Sequence, residues 1–308
     1  MKMDNPAPVN GTRPPGIPPA LSPISLGCVT FGREIDEPSS RAIMDHAHAR
    51  GITLFDTATT YGNGSSERIV GAWLSSRRPG SVAPAIATKL YPPYTQQSII
   101  EGAAACVGRL GVATIDLLYL HAWDESAQTP GVLIALDDLV RSGRVRAIGA
   151  SNFTASQLAT VLEQQAARNL SRIRYLQNNN NLAVRDIDAP LRALCAEQGV
   201  ALITYSPLGA GFLTGKHLGG LQPGTRFAIA PGHQAIYFQP TAQRRLARLM
   251  EVSRRTGHSP SHLALAWALH QPGVASVLIG CRSPAHVDQA LAALALDDSS
   301  LFAELESC

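Results

Sequence analysis

The sequence predicts a single α/β unit, a (β/α)8 TIM barrel with a long loop after strand seven, and three observations carry that expectation. Short apolar runs alternate eight times with amphipathic stretches, the pattern of strands buried on both faces and helices covering them. Nothing in the chain marks a break between sub-domains, so residues 21–308 read as one barrel domain. The first strand is not followed by Gly-x-Gly-x-x-Gly, so a Rossmann dinucleotide site has little support.

In chain order, residues 1–20 carry Pro6, Pro8, Pro14, Pro15, Pro18 and Pro19 with almost no apolar content, a disordered Pro-rich arm. Ile24–Val29 reads as strand one and Ser39–Arg50 as its helix, ended by Gly51. Ile52–Phe55 is strand two, running into Asp56. Gly62 and Gly64 then mark a turn before a helix over Ser66–Ser76. Ala85–Thr88 is strand three, and Ile99, Ala103, Val107 and Leu110 form the apolar stripe of a helix over Thr95–Leu110. Ile115–Leu120 is strand four, with a helix marked by Val132, Leu133, Leu136, Leu139 and Val140 and stopped at Gly143. Val145–Ile148 and the helix Ala155–Ala167 make the fifth unit. Ile173–Leu176, Ala201–Thr204 and Val274–Ile279 supply the last strands, with two helices before the eighth. The stretch Gly209–Pro240 is rich in Gly and Pro and carries Phe212, Phe227, Tyr237 and Phe238. A segment of that length inside a compact domain is usually functional or disordered, and a lid is preferred here over simple disorder.

Composition narrows the function classes. The 26 basic and 23 acidic residues are interspersed and sum to +3, which leaves no electrostatic footprint for nucleic acid or a membrane surface. A small-molecule partner is the expectation. The five cysteines are far apart and odd in number, so they read as reduced thiols without a metal site or disulfide framework. The arm lacks the apolar core of a signal peptide, and no segment approaches the about 18 apolar residues of a membrane span, so a cytoplasmic, soluble chain is expected. Lysine occurs only at Lys2, Lys89 and Lys216, which makes a lysine inside an apolar segment conspicuous.

Four residues fall at the C-terminal ends of consecutive strands, where barrels do their chemistry: Asp56 and Tyr61 after strand two, Lys89 after strand three, and His121 after strand four. A free tyrosine titrates near about 10 and is a weak acid at neutral pH. An ammonium held beside its hydroxyl is expected to draw that value down, and Lys89 is placed to do so. Asp56 can keep Lys89 charged and fixed, and His121 can orient a carbonyl oxygen toward Tyr61. Nothing here supplies a nucleophile or a metal cage, so proton transfer should accompany delivery of another group.

In this order and spacing, Asp56, Tyr61, Lys89 and His121 resemble the catalytic tetrad of the aldo-keto reductases, NAD(P)H-dependent enzymes on a (β/α)8 barrel. Four further segments match that family's cofactor pattern: Gly149–Asn152, Gln177–Asn178, Tyr205–Gly211 and Gly280–Ser283. The resemblance spans about residues 24–295 and implies an NADPH-dependent reductase of aldehydes or ketones. By similarity, Ser151, Asn152 and Gln177 would bind the nicotinamide carboxamide and Tyr205 would stack on its ring. Ser206, Leu208, Gly209, Gly211 and Lys216 would clasp the pyrophosphate, with Gly280, Arg282 and Ser283 near the adenosine ribose and Gln289 toward the adenine. The chain departs from the pattern twice: Asn178–Asn181 replaces a stretch that often holds an aromatic, and Gln289-Ala290 replaces an acidic residue and Asn. Phe31, Tyr91, Trp123 and the aromatics of the long loop are the candidate substrate walls, suited to a moderately apolar or sugar-like carbonyl compound. The resemblance also admits a cofactor-binding regulatory subunit with little turnover, as in potassium-channel β subunits. It says nothing about oligomeric state.

Overall fold

The computed structural model describes residues 21–78 and 82–307, so the Pro-rich arm lies outside the described residues. Eight parallel strands close on one another in chain order: β1 (Ile24–Gly27), β2 (Leu54–Asp56), β3 (Ala85–Leu90), β4 (Ile115–Leu120), β5 (Val145–Ser151), β6 (Ile173–Asn179), β7 (Ala201–Tyr205) and β8 (Val274–Gly280), with β8 pairing back onto β1. The (β/α)8 barrel is therefore the fold.

Helices α1 (Glu37–Ala49), α2 (Ser65–Ser75), α3 (Gln96–Leu110), α4 (Pro130–Arg141), α5 (Ala155–Ala167) and α6 (Ala189–Gln198) each follow one strand. Local sequence sets their starts. The Asp36 and Asp188 carboxylates accept the backbone N–H groups of Ser39 and Leu191, and Thr95 with Ser98 and Thr154 with Gln157 form reciprocal capping boxes. After β7 come two single turns, α7 (Arg226–Ile229) and α8 (Gln234–Tyr237), then α9 (Pro240–Thr256) and α10 (Pro260–Leu269). After β8 come α11 (Pro284–Ala293) and α12 (Ser299–Glu306). Among the described residues no helix is long and apolar enough to cross a membrane.

Two apolar cores follow from the alternation of strand side chains. Leu54, Ala85, Ala87, Leu117, Tyr119, Ala147, Tyr175, Ile203 and Leu278 fill the barrel interior, while the larger cluster lies between the strands and the helices. Carrying the inward alternation one step further brings Asp56, Lys89, Ser151, Gln177 and Tyr205 to the C-terminal rim. Several strands run longer than the apolar runs suggest: β3 reaches Leu90, β5 reaches Ser151 and β6 reaches Asn179. The ladder ignores side-chain polarity, so Lys89, Ser151 and Gln177 are residues of the strands themselves.

The segment Gly209–Pro240 is also more ordered than its composition suggests. It contains the 3-10 turns Gly209–Thr214 and Pro231–His233 besides α7 and α8. Phe212, Phe227 and Tyr237 are buried and pack with Phe238 at ring-centroid distances of 5.1 to 5.8 Å for Phe227–Phe238, Phe212–Phe238 and Phe227–Tyr237. These aromatics form a small core of this segment, a strap over the C-terminal rim of the barrel, and do not line the cavity between the two.

Candidate active site

A cavity of about 570 Å³ opens between the C-terminal rim of the barrel and the strap. At its base lies a continuous polar chain. The Lys89 ammonium, which has no exposed surface, donates to Asp56 and to the Thr57 carbonyl at 3.0 Å. The other Asp56 oxygen accepts the Gln177 amide at 2.9 Å. Ser151 Oγ donates to the Gln177 carbonyl at 2.8 Å, and Asn152 donates to Ser151 Oγ and to the His121 carbonyl at 3.1 and 2.9 Å. Tyr205 Oη closes the chain by donating to Asn152 Oδ1 at 2.7 Å.

The tetrad residues converge on this base. Lys89 Nζ lies 5.1 Å from the centre of the Tyr61 ring, and the His121 ring stands edge-on to Tyr61 at 5.8 Å. Burial pushes the Tyr61 hydroxyl up, and the pull of Lys89 does not overcome it, so the expected lowering of this group is corrected to a net rise. Tyr61 is thus a phenol, the form that can give a proton. Burial works against a charged Lys89, yet Asp56 and Tyr61 hold it above its ordinary value. Burial raises the Asp56 carboxyl against the opposing pull of Lys89 and Gln177. The contact geometry is that of an ammonium–carboxylate pair. Burial and the Lys89 charge drive His121 down to about 3, which leaves a neutral imidazole at the cavity wall.

At the far end of the cavity Lys216, Arg282 and His286 face one another. Burial and then the Arg282 charge lower Lys216, and burial followed by Arg282 and Lys216 lowers His286. Gly211, at φ +94°, leaves room for this arrangement, since a Cβ there would stand 2.8 Å from Lys216 Nζ. Among the described residues, three of the five non-glycine positions with left-handed backbone line the cavity: Asn152, Ser206 and Ala210, at φ 61°, 56° and 55°. Such strain is retained where the surroundings dictate the conformation.

Of the other residues singled out in the sequence, Leu208, Gly280 and Gln289 line the cavity. Gly209 packs under Tyr237, and Ser283 stands at the N-cap of α11 off the wall. Phe31 is fully buried in the outer core. Tyr91 is 59% exposed at the rim, 5.6 Å from the His121 ring, and Trp123 stands edge-on to Phe153 at 5.1 Å. None of these three lines the cavity.

A model of the aldo/keto reductase family matches residues 23–308. The chain belongs to that family. It is 30% identical to "Protein tas" of Escherichia coli, over 93% of this chain and 94% of that protein. It is 30% identical to "Aldo-keto reductase AMT2" of Alternaria alternata, over 85% and 79%, and 28% identical to the "Versiconal hemiacetal acetate reductase" of Aspergillus parasiticus, over 89% of each. Membership gives this aldo/keto reductase its general chemistry, oxidoreduction of small carbonyl compounds with NADP(H).

Sequence reasoning missed the latch that holds the strap across the cavity. Glu34, in the loop between β1 and α1, accepts from Arg33 at 2.6 Å and from Arg226 of α7 at 3.0 Å. Arg226 and Glu34 are 192 residues apart, and no spacing rule links them. Glu34→Gln should therefore speed proteolytic cleavage within residues 209–240, and saturating NADPH should slow it in both proteins. Equal cleavage rates in all four samples would contradict the latch.

Proposed function

We propose that the protein reduces an aldehyde or ketone to the alcohol with NADPH bound along the cavity, Tyr61 donating the proton. The convergence of Tyr61, Lys89, Asp56 and His121 at the cavity base carries this reading. Ser151, Asn152, Gln177 and Tyr205 would hold the nicotinamide end, and the segment Ser206–Lys216 the pyrophosphate. Lys216 and His286 line the same cavity as Arg282, and both are lowered by burial and then by the Arg282 charge, which supports a polyanion at the other end, because an arriving phosphate offsets that crowding of positive charge. When bound, NADPH supplies the hydride. Neutral His121 donates a hydrogen bond that orients the substrate oxygen, Tyr61 protonates that oxygen, and Lys89 stabilises the phenolate left behind. The cavity base is polar and its wall includes Val29, Leu265 and Leu278, which suits a substrate with one carbonyl and a partly apolar body.

Following NADPH absorbance across a panel of aromatic aldehydes, aliphatic ketones and sugars tests the reading. Consumption with at least one carbonyl class is expected, and none across the panel would overturn it.

Cofactor choice gives a second test. Arg282, with Lys216 and His286, would contact the 2′-phosphate, and a charge-assisted contact contributes about 1.5–3 kcal/mol, so Arg282→Ala should weaken NADPH about ten- to a hundredfold and leave NADH nearly unchanged. Fluorescence titration measures both constants. Equal affinity of the parent for the two cofactors would contradict the assignment.

The pH profile follows from the tetrad. His121 is already neutral far below the working range, and Tyr61 loses its proton only at high pH. Reduction should be flat between about pH 6 and 8 and fall as pH rises past the ordinary tyrosine value of about 10. An inflection near pH 6.5 would assign the proton to His121 instead.

A further inference from the structure

We propose that Ser66 and Glu67, in the first turn of α2, are positioning residues that hold the ends of β2 and β3 through Thr57 and Thr88 and so keep Lys89 against Tyr61. The proposal rests on the reading of Tyr61 as proton donor.

Thr57 follows Asp56 and Thr88 precedes Lys89. Because side chains alternate along a strand, the inward course of Asp56 and Lys89 sends the two threonine hydroxyls outward, toward α2. Thr57 Oγ1 donates to Ser66 Oγ at 2.8 Å, and Ser66 Oγ donates on to the Cys28 carbonyl at 2.8 Å. Thr88 Oγ1 donates to Glu67 Oε1 at 2.7 Å, and Glu67 Oε2 accepts Arg109 Nε at 2.5 Å. Thr57, Ser66, Glu67 and Thr88 have no exposed surface.

The inner side of the two strands is tied to the same clamp. Lys89 Nζ donates to the Thr57 carbonyl at 3.0 Å, and the Thr59 hydroxyl donates to the Lys89 carbonyl at 3.0 Å. Tyr61 opens the short turn that leads into α2. One helix turn thus meets the proton donor along the chain and its lysine across the sheet.

A buried carboxylate is costly unless paired, and packing an α2 turn on β3 needs only an apolar side chain. Glu67 instead holds the Thr88 hydroxyl, and through it the end of β3, in one position, because both its oxygens are engaged. Gly64 gives Arg109 access to it: at φ +79°, a Cβ there would lie 2.8 Å from Arg109 Cδ. Displacement of β3 moves Lys89 away from Tyr61, and misplacement of about 1 Å in an active site can cost about a hundredfold in rate.

The test is Thr88→Val, which keeps shape and deletes the hydroxyl, with Thr88→Ser as the rescue. Thr57→Val is a second variant at the other arm of the clamp. Thr204→Val is the control, since Thr204 is a buried threonine of β7 whose hydroxyl has no hydrogen-bond partner. The readouts are kcat, KM, NADPH affinity and the pH profile of reduction by the purified full chain.

Thr88→Val and Thr57→Val should lower kcat about tenfold at unchanged KM and NADPH affinity. Their high-pH limb should move upward, because a more distant Lys89 favours the Tyr61 phenolate less. Thr88→Ser should restore both rate and profile, and Thr204→Val should match the parent. Parent kcat and profile in both valine variants would overturn the proposal alone, as would a Thr88→Ser as impaired as Thr88→Val. Parent-rate reduction by Tyr61→Phe would remove the proton-donor reading, and the clamp's role with it.

Discussion

Tyr61→Phe should reduce the best carbonyl substrate about a hundredfold more slowly or worse while still folding and binding NADPH. The substitution keeps the ring that packs edge-on against His121 and removes only the hydroxyl beside Lys89. Two neighbouring groups are poor substitutes. His121 is neutral, and Tyr119, buried beneath the base, has its hydroxyl pushed well up by burial and by Asp56. A proton would have to come from water, which is a poor acid and poorly placed. Steady-state rates with cofactor affinity measured alongside separate this loss from a binding defect.

Lys89→Met should be comparably slow and should also unfold more easily. It leaves the Asp56 carboxylate, 2% exposed, with the Gln177 amide as its remaining partner. Breaking a buried pair by removing one member costs about 3–5 kcal/mol. The sign of the pH dependence follows from burial, which raises the Asp56 carboxyl even with Lys89 present. A carboxyl whose folded value lies above its unfolded value binds protons better when folded, so the variant should regain stability as pH falls and lose it as pH rises. Denaturant unfolding at pH 5 and pH 8 reads this directly. A variant equally destabilised at both would mean that Asp56 does not carry the cost.

The eight units were legible because each strand is a short apolar run and each helix carries a cap or a stripe. The tetrad was legible because Asp56, Lys89 and His121 interrupt or end such runs. Strand ends were less so: β3, β5 and β6 continue into Lys89, Ser151 and Gln177, whose polarity hides a backbone ladder that is indifferent to it. The Glu34–Arg226 latch and the Thr88–Glu67–Arg109 bridge lie between residues far apart in the chain, and only the closed barrel brings them together. The net rise at Tyr61 was invisible for a related reason: adjacency to Lys89 can be inferred from strand order, whereas the depth of burial that outweighs it cannot.

The most direct measurement is a single turnover. Protein loaded with one equivalent of NADPH is mixed with the best aldehyde of the panel, and NADPH absorbance and alcohol are followed together in the parent and in Tyr61→Phe. The parent should consume the NADPH and form one alcohol per cofactor, with the Tyr61→Phe transient slower by about a hundredfold. A parent that holds NADPH without consuming it, or a variant that matches the parent transient, would contradict the account.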